Sequence, residues 1–456
     1  MRPLSKIRFN ALAGYARQPL ALHMAQEVGW FEHGNERVLA TLIRDKTDGD
    51  YSAIIMARDR KGRYRCVHPT PFNKSRRHAE VTMRREMEQV AHQEDSDYHQ
   101  GDEEGQPLDF FSPVVPNERL HQDFVKVAQR VGFSSARGII EPMMHWYEDP
   151  DGNFVEQFQT TGFDARIWEL YLFATFSEMG YQIDRSNAVP DFTCEGLGVE
   201  FCVEATTVNA SRKGPLASPP SLETKEGLQA FMREFMPLKY GSALYTKLNK
   251  KYWEKENVKG KPLLFAIADF QGGQSMIMTR SGLPIYLYGY DYDWHKYASG
   301  NLHITPRIVE KHRWGSKEIP SGFFNNPGAE NISAVVFNNS GTISKFLRMG
   351  MLAGFASPLV MLTRVGTVVD HDPNATEPVW FRHLVNSPEY SETWVEGFDV
   401  FHNPNALYPL HESVLPGASH HWLLPNKQMR TYAPDWQPLA SKTEILVIGG
   451  KNVEER

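Results

Sequence analysis

The sequence predicts an α/β protein, a sheet flanked by helices. Two observations carry that expectation. Helical segments alternate with short apolar runs of strand length, among them "GVEFCVEATTV", "KPLLFAIADF", "ISAVVFNN", "PLVML" and "EILVIGG". One helical segment, "ARIWELYLFATFSEMG", is apolar almost all round, which is the pattern of a buried helix. At 456 residues and 41% apolar content, the chain is long enough to bury a large core.

Taken in chain order, residues 1–93 read as a small N-terminal α/β unit. "ERVLATLIRD" and "YSAIIMARDRKGRYRCVHPT" have strand character, with "KTDGD" and "RDRKGR" as turns. "NKSRRHAEVTMRREMEQVAHQ" follows as a helix. Its basic residues (Lys74, Arg76, Arg77, Arg84, Arg85) are read as a solvated face paired with Glu80, Glu86 and Glu88. The acidic, polar stretch over 94–106 reads as an exposed linker. A second unit spans 107–275. Its main helix has Asp164 as the expected N-cap and Gly180 as the expected stop. The strands "YQID", "PDFTCEG" and "GVEFCVEATTV" come next, then the helices "GLQAFMREFM" and "GSALYTKLNKKYW". Residues 276–456 are rich in Pro, Gly, Asn and aromatics, and are read as a C-terminal extension of the same domain or as a third domain.

Composition narrows the function. A net charge of −6 argues against a protein coated in basic charge, but leaves room for a local basic groove. The three cysteines include no CxxC pair, which disfavours a disulfide framework or a cysteine zinc site and suits a cytoplasmic protein. The N-terminal segment lacks the apolar stretch of a secretory signal. No apolar run approaches the roughly 20 residues that span a bilayer, so no membrane partner is expected.

Three carboxylates sit where a core should be. Glu169 is the one charged residue in "IWELYLFATF". A buried carboxylate is costly unless paired, hydrogen-bonded or bound to metal, and Arg166, three residues earlier, is a candidate partner. On the strand "GVEFCVEATTV", alternation puts Glu200, Cys202, Glu204 and Thr206 on one face and Phe201, Val203 and Ala205 on the other. The second face is core; the first must line a cleft, a metal site or another polar surface. Asp191 lies thirteen residues before Glu204, far enough for an antiparallel return that brings the two acids together. Two such charges repel, and a Mg²⁺ or Mn²⁺ ion with oxygen ligands would relieve the repulsion.

A buried helix with one Glu, a strand, "PDF", a strand ending in Glu, a helix and another apolar strand together resemble the PD-(D/E)XK nuclease superfamily, the restriction-endonuclease-like fold, over roughly residues 160–270. The resemblance implies a central mixed sheet flanked by helices in αβββαβ order. It implies Asp191 and Glu204 as Mg²⁺ or Mn²⁺ ligands, with Glu169 as the auxiliary acid of the first helix. It also implies hydrolysis of a phosphodiester bond, DNA ahead of RNA. The family pattern wants Lys two residues after the second acid, and here that residue is Thr206. The expectation is that the lysine has moved to the following helix. Lys247 is the first choice, with Lys239, Lys250 and Lys251 as substitutes.

Residues 239–261 hold seven lysines against two glutamates, interleaved with Tyr240, Tyr245, Tyr252 and Trp253, a pattern that suits a phosphate-bearing partner. Lys345 and Arg348, after the strand "ISAVVF" and a Gly-Thr turn, are further candidates to grip phosphate. The expected function is a magnesium-dependent endonuclease, with defence against foreign DNA as a setting suggested by fold-level analogy. The alternative is a catalytically impaired protein of the same fold that binds nucleic acid or a partner protein. A homo-oligomer is a further expected assembly.

Overall fold

Eight strands form the central sheet of the computed structural model, which describes residues 1–103, 109–149, 151–196, 198–272 and 275–449. Across the sheet they run Gln182–Asp184, Phe192–Gly196, Val199–Asn209, Leu263–Phe270, Ala334–Phe337, Asp399–His402, Ser419–Leu423 and Met429–Tyr432. The first three are antiparallel. Val199–Asn209, Leu263–Phe270 and Ala334–Phe337 are parallel neighbours, and the remaining pairings alternate antiparallel, parallel, antiparallel. The sheet is therefore mixed, and helices cover both of its faces.

Each face of Val199–Asn209 is buried by a different helix. Phe201, Val203 and Ala205 pack into the core that contains helix Phe163–Glu178, where the Phe176 ring meets Phe192 and Phe201 edge-on. Cys202 and Val208 pack on the other side with Leu244 and Leu248 of helix Met236–Leu248. The face that carries Glu204 is thus roofed by a helix instead of lying open.

Helix Phe163–Glu178 stops at Gly180, as its sequence predicts. Tyr181 N–H reaches back to Phe176 O and Gly180 N–H to Ser177 O, with Gly180 at φ +92°. This is a Schellman cap, whose left-handed residue favours glycine. The start differs from expectation. The cap residue is Gly162, and Asp164 lies inside the first turn, where its carboxylate opposes the positive end of the helix dipole. The segments "GLQAFMREFM" and "GSALYTKLNKKYW" form one helical run: Lys225–Ala230, a π turn over Phe231–Phe235, then Met236–Leu248.

The N-terminal residues form a separate five-stranded antiparallel sheet, with helix Arg76–Ala91 packed on it through Ala79, Met83, Met87 and Val90. Arg76 pairs with Glu80 and Arg85 with Glu86, as a solvated helix face would. The stretch read as a linker is partly structured. Asp95–Tyr98 makes a 3₁₀ turn, Tyr98 is buried, and its hydroxyl donates to Val90 O at 2.6 Å. Arg37 pairs with Asp95 and Arg65 with Asp102, so the acids of the run are tied to the N-terminal sheet as well. Residues 104–106 of that stretch lie outside the described residues. Past residue 276 the chain adds four strands to the central sheet. "PLVML" and "EILVIGG" instead fall in a three-stranded sheet of Val360–Val368, Val379–Leu384 and Pro438–Val447. Among the described residues no helix is long and apolar enough to cross a membrane.

Candidate functional site

Antiparallel pairing of Phe192 with Val203 sets Asp191 opposite Glu204 at the end of the two strands. Asp191 Oδ2 accepts the Ala205 N–H at 2.7 Å, which ties its carboxylate to the Glu204 strand. The turn before Asp191 is braced from the 252–261 segment. Asn257 donates to Val189 O at 3.0 Å, and Lys261 holds both Asn257 O and Glu200.

Lys247 reaches the same centre. It stands in the last turn of Met236–Leu248, on the face that covers the strand, and its Nζ lies 2.5 Å from Glu204 Oε1. Lys247 thus meets Glu204 from the helix that covers the strand. Tyr252, two residues into the loop that follows Lys250, donates to the same Glu204 oxygen at 2.7 Å.

Glu169 lies on helix Phe163–Glu178, on the other side of the sheet's Glu204 strand from Met236–Leu248. Arg166 Nη1 lies 2.8 and 2.7 Å from its two oxygens, and the Tyr147 hydroxyl donates to Oε2 at 2.8 Å. Arg185 sits 3.7 Å from Oε2 with its guanidinium stacked on the Tyr147 ring at 3.8 Å. The helical i,i+3 spacing made the Arg166 partnership legible; Tyr147 and Arg185 come from distant segments and left no local signal.

The electrostatics follow from this crowding. Burial first, then the charges of Glu204 and Glu169, push the Asp191 carboxyl up to about 8, against the pull of Lys247. Burial likewise raises Glu169 to about 7, although Arg166 opposes it. Burial lowers Arg185 to about 10, with Asp191 opposing.

Oxygen donors of this kind suit a hard divalent cation. Asp191 and Glu204 fit one. Among the described residues no hydrogen bond engages Asp191 Oδ1 or Glu204 Oε2, so one oxygen of each carboxylate is left for a cation. The expected third ligand does not join them directly. Glu169 is engaged by Arg166 and Tyr147, and among the described residues no group of three or more His, Cys, Asp or Glu side chains is arranged to hold a metal.

The remaining basic candidates divide sharply. Lys250 and Lys251 are exposed just beyond the helix, Lys251 with Glu254 at 3.6 Å. Lys239 is buried, and its Nζ donates to Asn209 O and Ser211 Oγ, so it is a brace and not a surface contact. Lys345 and Arg348, expected to grip phosphate, do not reach the surface. Both are fully buried and bound to Glu392 at 2.7 and 2.8 Å, members of an internal ion cluster and not surface contacts. A cavity of about 1170 Å³ lies elsewhere, between the N-terminal segment and C-terminal loops, lined by Lys6, Trp30, Glu178, Trp394 and Trp436. It includes none of the residues that converge on Glu204.

The chain matches no protein-family model, no curated protein and no solved structure.

Proposed function

We propose that this protein is a metal-dependent nuclease that hydrolyses phosphodiester bonds, in DNA ahead of RNA. One observation carries the reading: a lysine from the covering helix meets the second of two facing carboxylates, and so supplies the cation missing at Thr206. The helix–three strands–helix–strand order around these residues supports the same reading.

In this reading Asp191 and Glu204 hold Mg²⁺ or Mn²⁺, which when bound polarises the phosphate and lowers the pKa of a water. The protein's own groups do the rest. Lys247 is an ammonium held on Glu204 beside the ion seat, placed to neutralise charge on the phosphate and to orient the attacking water. Glu169 holds Arg166 and Arg185, the second of which feels the charge of Asp191. Lys250 and Lys251 extend the basic surface toward the backbone of a nucleic acid. Cytoplasmic action against foreign DNA is the biological setting proposed with it.

The test is cleavage of plasmid DNA, linear DNA and RNA with Mg²⁺, Mn²⁺ or EDTA. Wild type is expected to cut only with metal. Asp191→Ala and Glu204→Ala should abolish cutting. Lys247→Ala should lower the rate by about tenfold or more while the fold is kept. Binding without cutting would favour the second reading, an impaired nuclease fold, for which Thr206 is the specific observation. If neither binding nor cutting occurs and the acid variants merely melt earlier, the carboxylates are structural.

A further inference from the structure

We infer that Tyr252 is a positioning residue of this centre: its hydroxyl fixes Glu204 so that the carboxylate's second oxygen faces the cation, and so leaves Lys247 free to move to the phosphate. The inference rests on the nuclease reading above and assigns a residue that neither the motif nor its spacing marks.

The argument starts from Glu204 Oε1, which takes two donors, Lys247 Nζ at 2.5 Å and the Tyr252 hydroxyl at 2.7 Å. The two differ in what they can do. Lys247 is an ammonium on a flexible stem, partly exposed, and its three protons can turn to a new partner. Tyr252 is 2% exposed and cannot leave. Its ring packs edge-on against Phe265 at 6.1 Å, and Phe265 is the residue paired with Glu204 across the parallel ladder. The chain delivers Tyr252 there by a local device. Helix Met236–Leu248 ends, Lys251 takes a left-handed backbone at φ +48°, and a short 3₁₀ turn begins at Tyr252.

A lysine on the strand, two residues after the acid, would project beside Glu204 without needing it as an anchor. Here the lysine comes from the covering helix and rests on Glu204. When it departs toward a phosphate, Glu204 would lose the only charged donor it has among the described residues and be free to rotate. The tyrosine hydroxyl prevents that. Fixing the orientation of a ligand through a neighbouring hydrogen bond is typically worth about 10–100-fold in metal affinity.

The experiment is Tyr252→Phe in the full chain, which removes one oxygen. Mn²⁺ binding is measured by calorimetry, melting is followed in EDTA, and cleavage is titrated with Mg²⁺. The expected result is Mn²⁺ affinity about tenfold weaker and a matching rise in the Mg²⁺ needed for half-maximal rate, with melting in EDTA unchanged. Lys247→Met should show the converse split, a lower maximal rate at retained Mn²⁺ affinity. Unchanged Mn²⁺ affinity in Tyr252→Phe overturns the assignment. So does equal loss of affinity in both variants, since the two donors would then be interchangeable. If wild type binds Mn²⁺ but cuts nothing, the nuclease reading fails while the Mn²⁺ comparison still decides the role of Tyr252. If wild type binds no Mn²⁺, the role assigned to Tyr252 falls.

Discussion

Asp191 shows how far surroundings can change one side chain. Its carboxyl, raised from 3.8 to about 8, keeps a proton near neutrality in the metal-free protein. The sign of the consequence is fixed. A folded-state value above the unfolded one means the folded state binds the extra proton, so this contribution to stability is present at low pH and is lost as pH rises from about 4 through about 8. The metal-free protein is therefore expected to melt progressively earlier as pH rises across that window, and Asp191→Asn to show a shallower decline in the same scans. Equal slopes would show that Asp191 is not the titrating group. Added Mg²⁺ should reverse the decline and release protons on binding, measurable by calorimetry in buffers of different ionisation heat. Asp191, Glu204 and Lys247 were legible in the sequence because each interrupts an apolar pattern or sits on a helix face that must meet the strand. Tyr252 was not, because its hydroxyl reaches Glu204 only through the left-handed turn at Lys251. Lys345 and Arg348 were misread because Glu392, the partner that buries them, lies 47 and 44 residues further on.

At the scale of elements, the helix bearing Glu169 depends on its cap. Gly180 carries the left-handed conformation that returns two N–H groups to the last turn. Gly180→Ala is expected to destabilise the protein by about 1 kcal/mol in urea unfolding, through backbone strain, since the nearest atom to an added Cβ is Leu22 Cδ1 at 3.5 Å. An unchanged midpoint would mean that packing alone stops the helix. Strand identity was readable because "GVEFCVEATTV" alternates cleanly, but membership of a sheet was not. "PLVML" and "EILVIGG" have the same character as "ISAVVFNN", yet only the last joins the central sheet. The joined helix over 225–248 was also hidden. Pro237 cannot donate to the Arg233 carbonyl one turn back, and the His312 ring meets that carbonyl instead, at 2.7 Å, where Phe231–Phe235 forms a π turn.

At the scale of the whole molecule, the centre sits toward one edge of the eight-stranded sheet, and half of that sheet is contributed after residue 276. The helix that roofs Glu204 and the strand Leu263–Phe270 beside it belong to the same half as the acids. That strand is buried along almost its whole length, and its far side pairs with Ala334–Phe337. The consequence concerns modularity. Residues 107–275 carry every group assigned to the chemistry, yet cut out alone they would present an apolar strand with an unpaired row of N–H and C=O groups, a template for aggregation. Such a fragment is expected to scatter light and bind hydrophobic dyes, where a soluble, folded monomer would contradict the inference. The chemistry of this protein is then not a cassette that evolution could hand intact to another chain; it travels only with the strands that close its sheet.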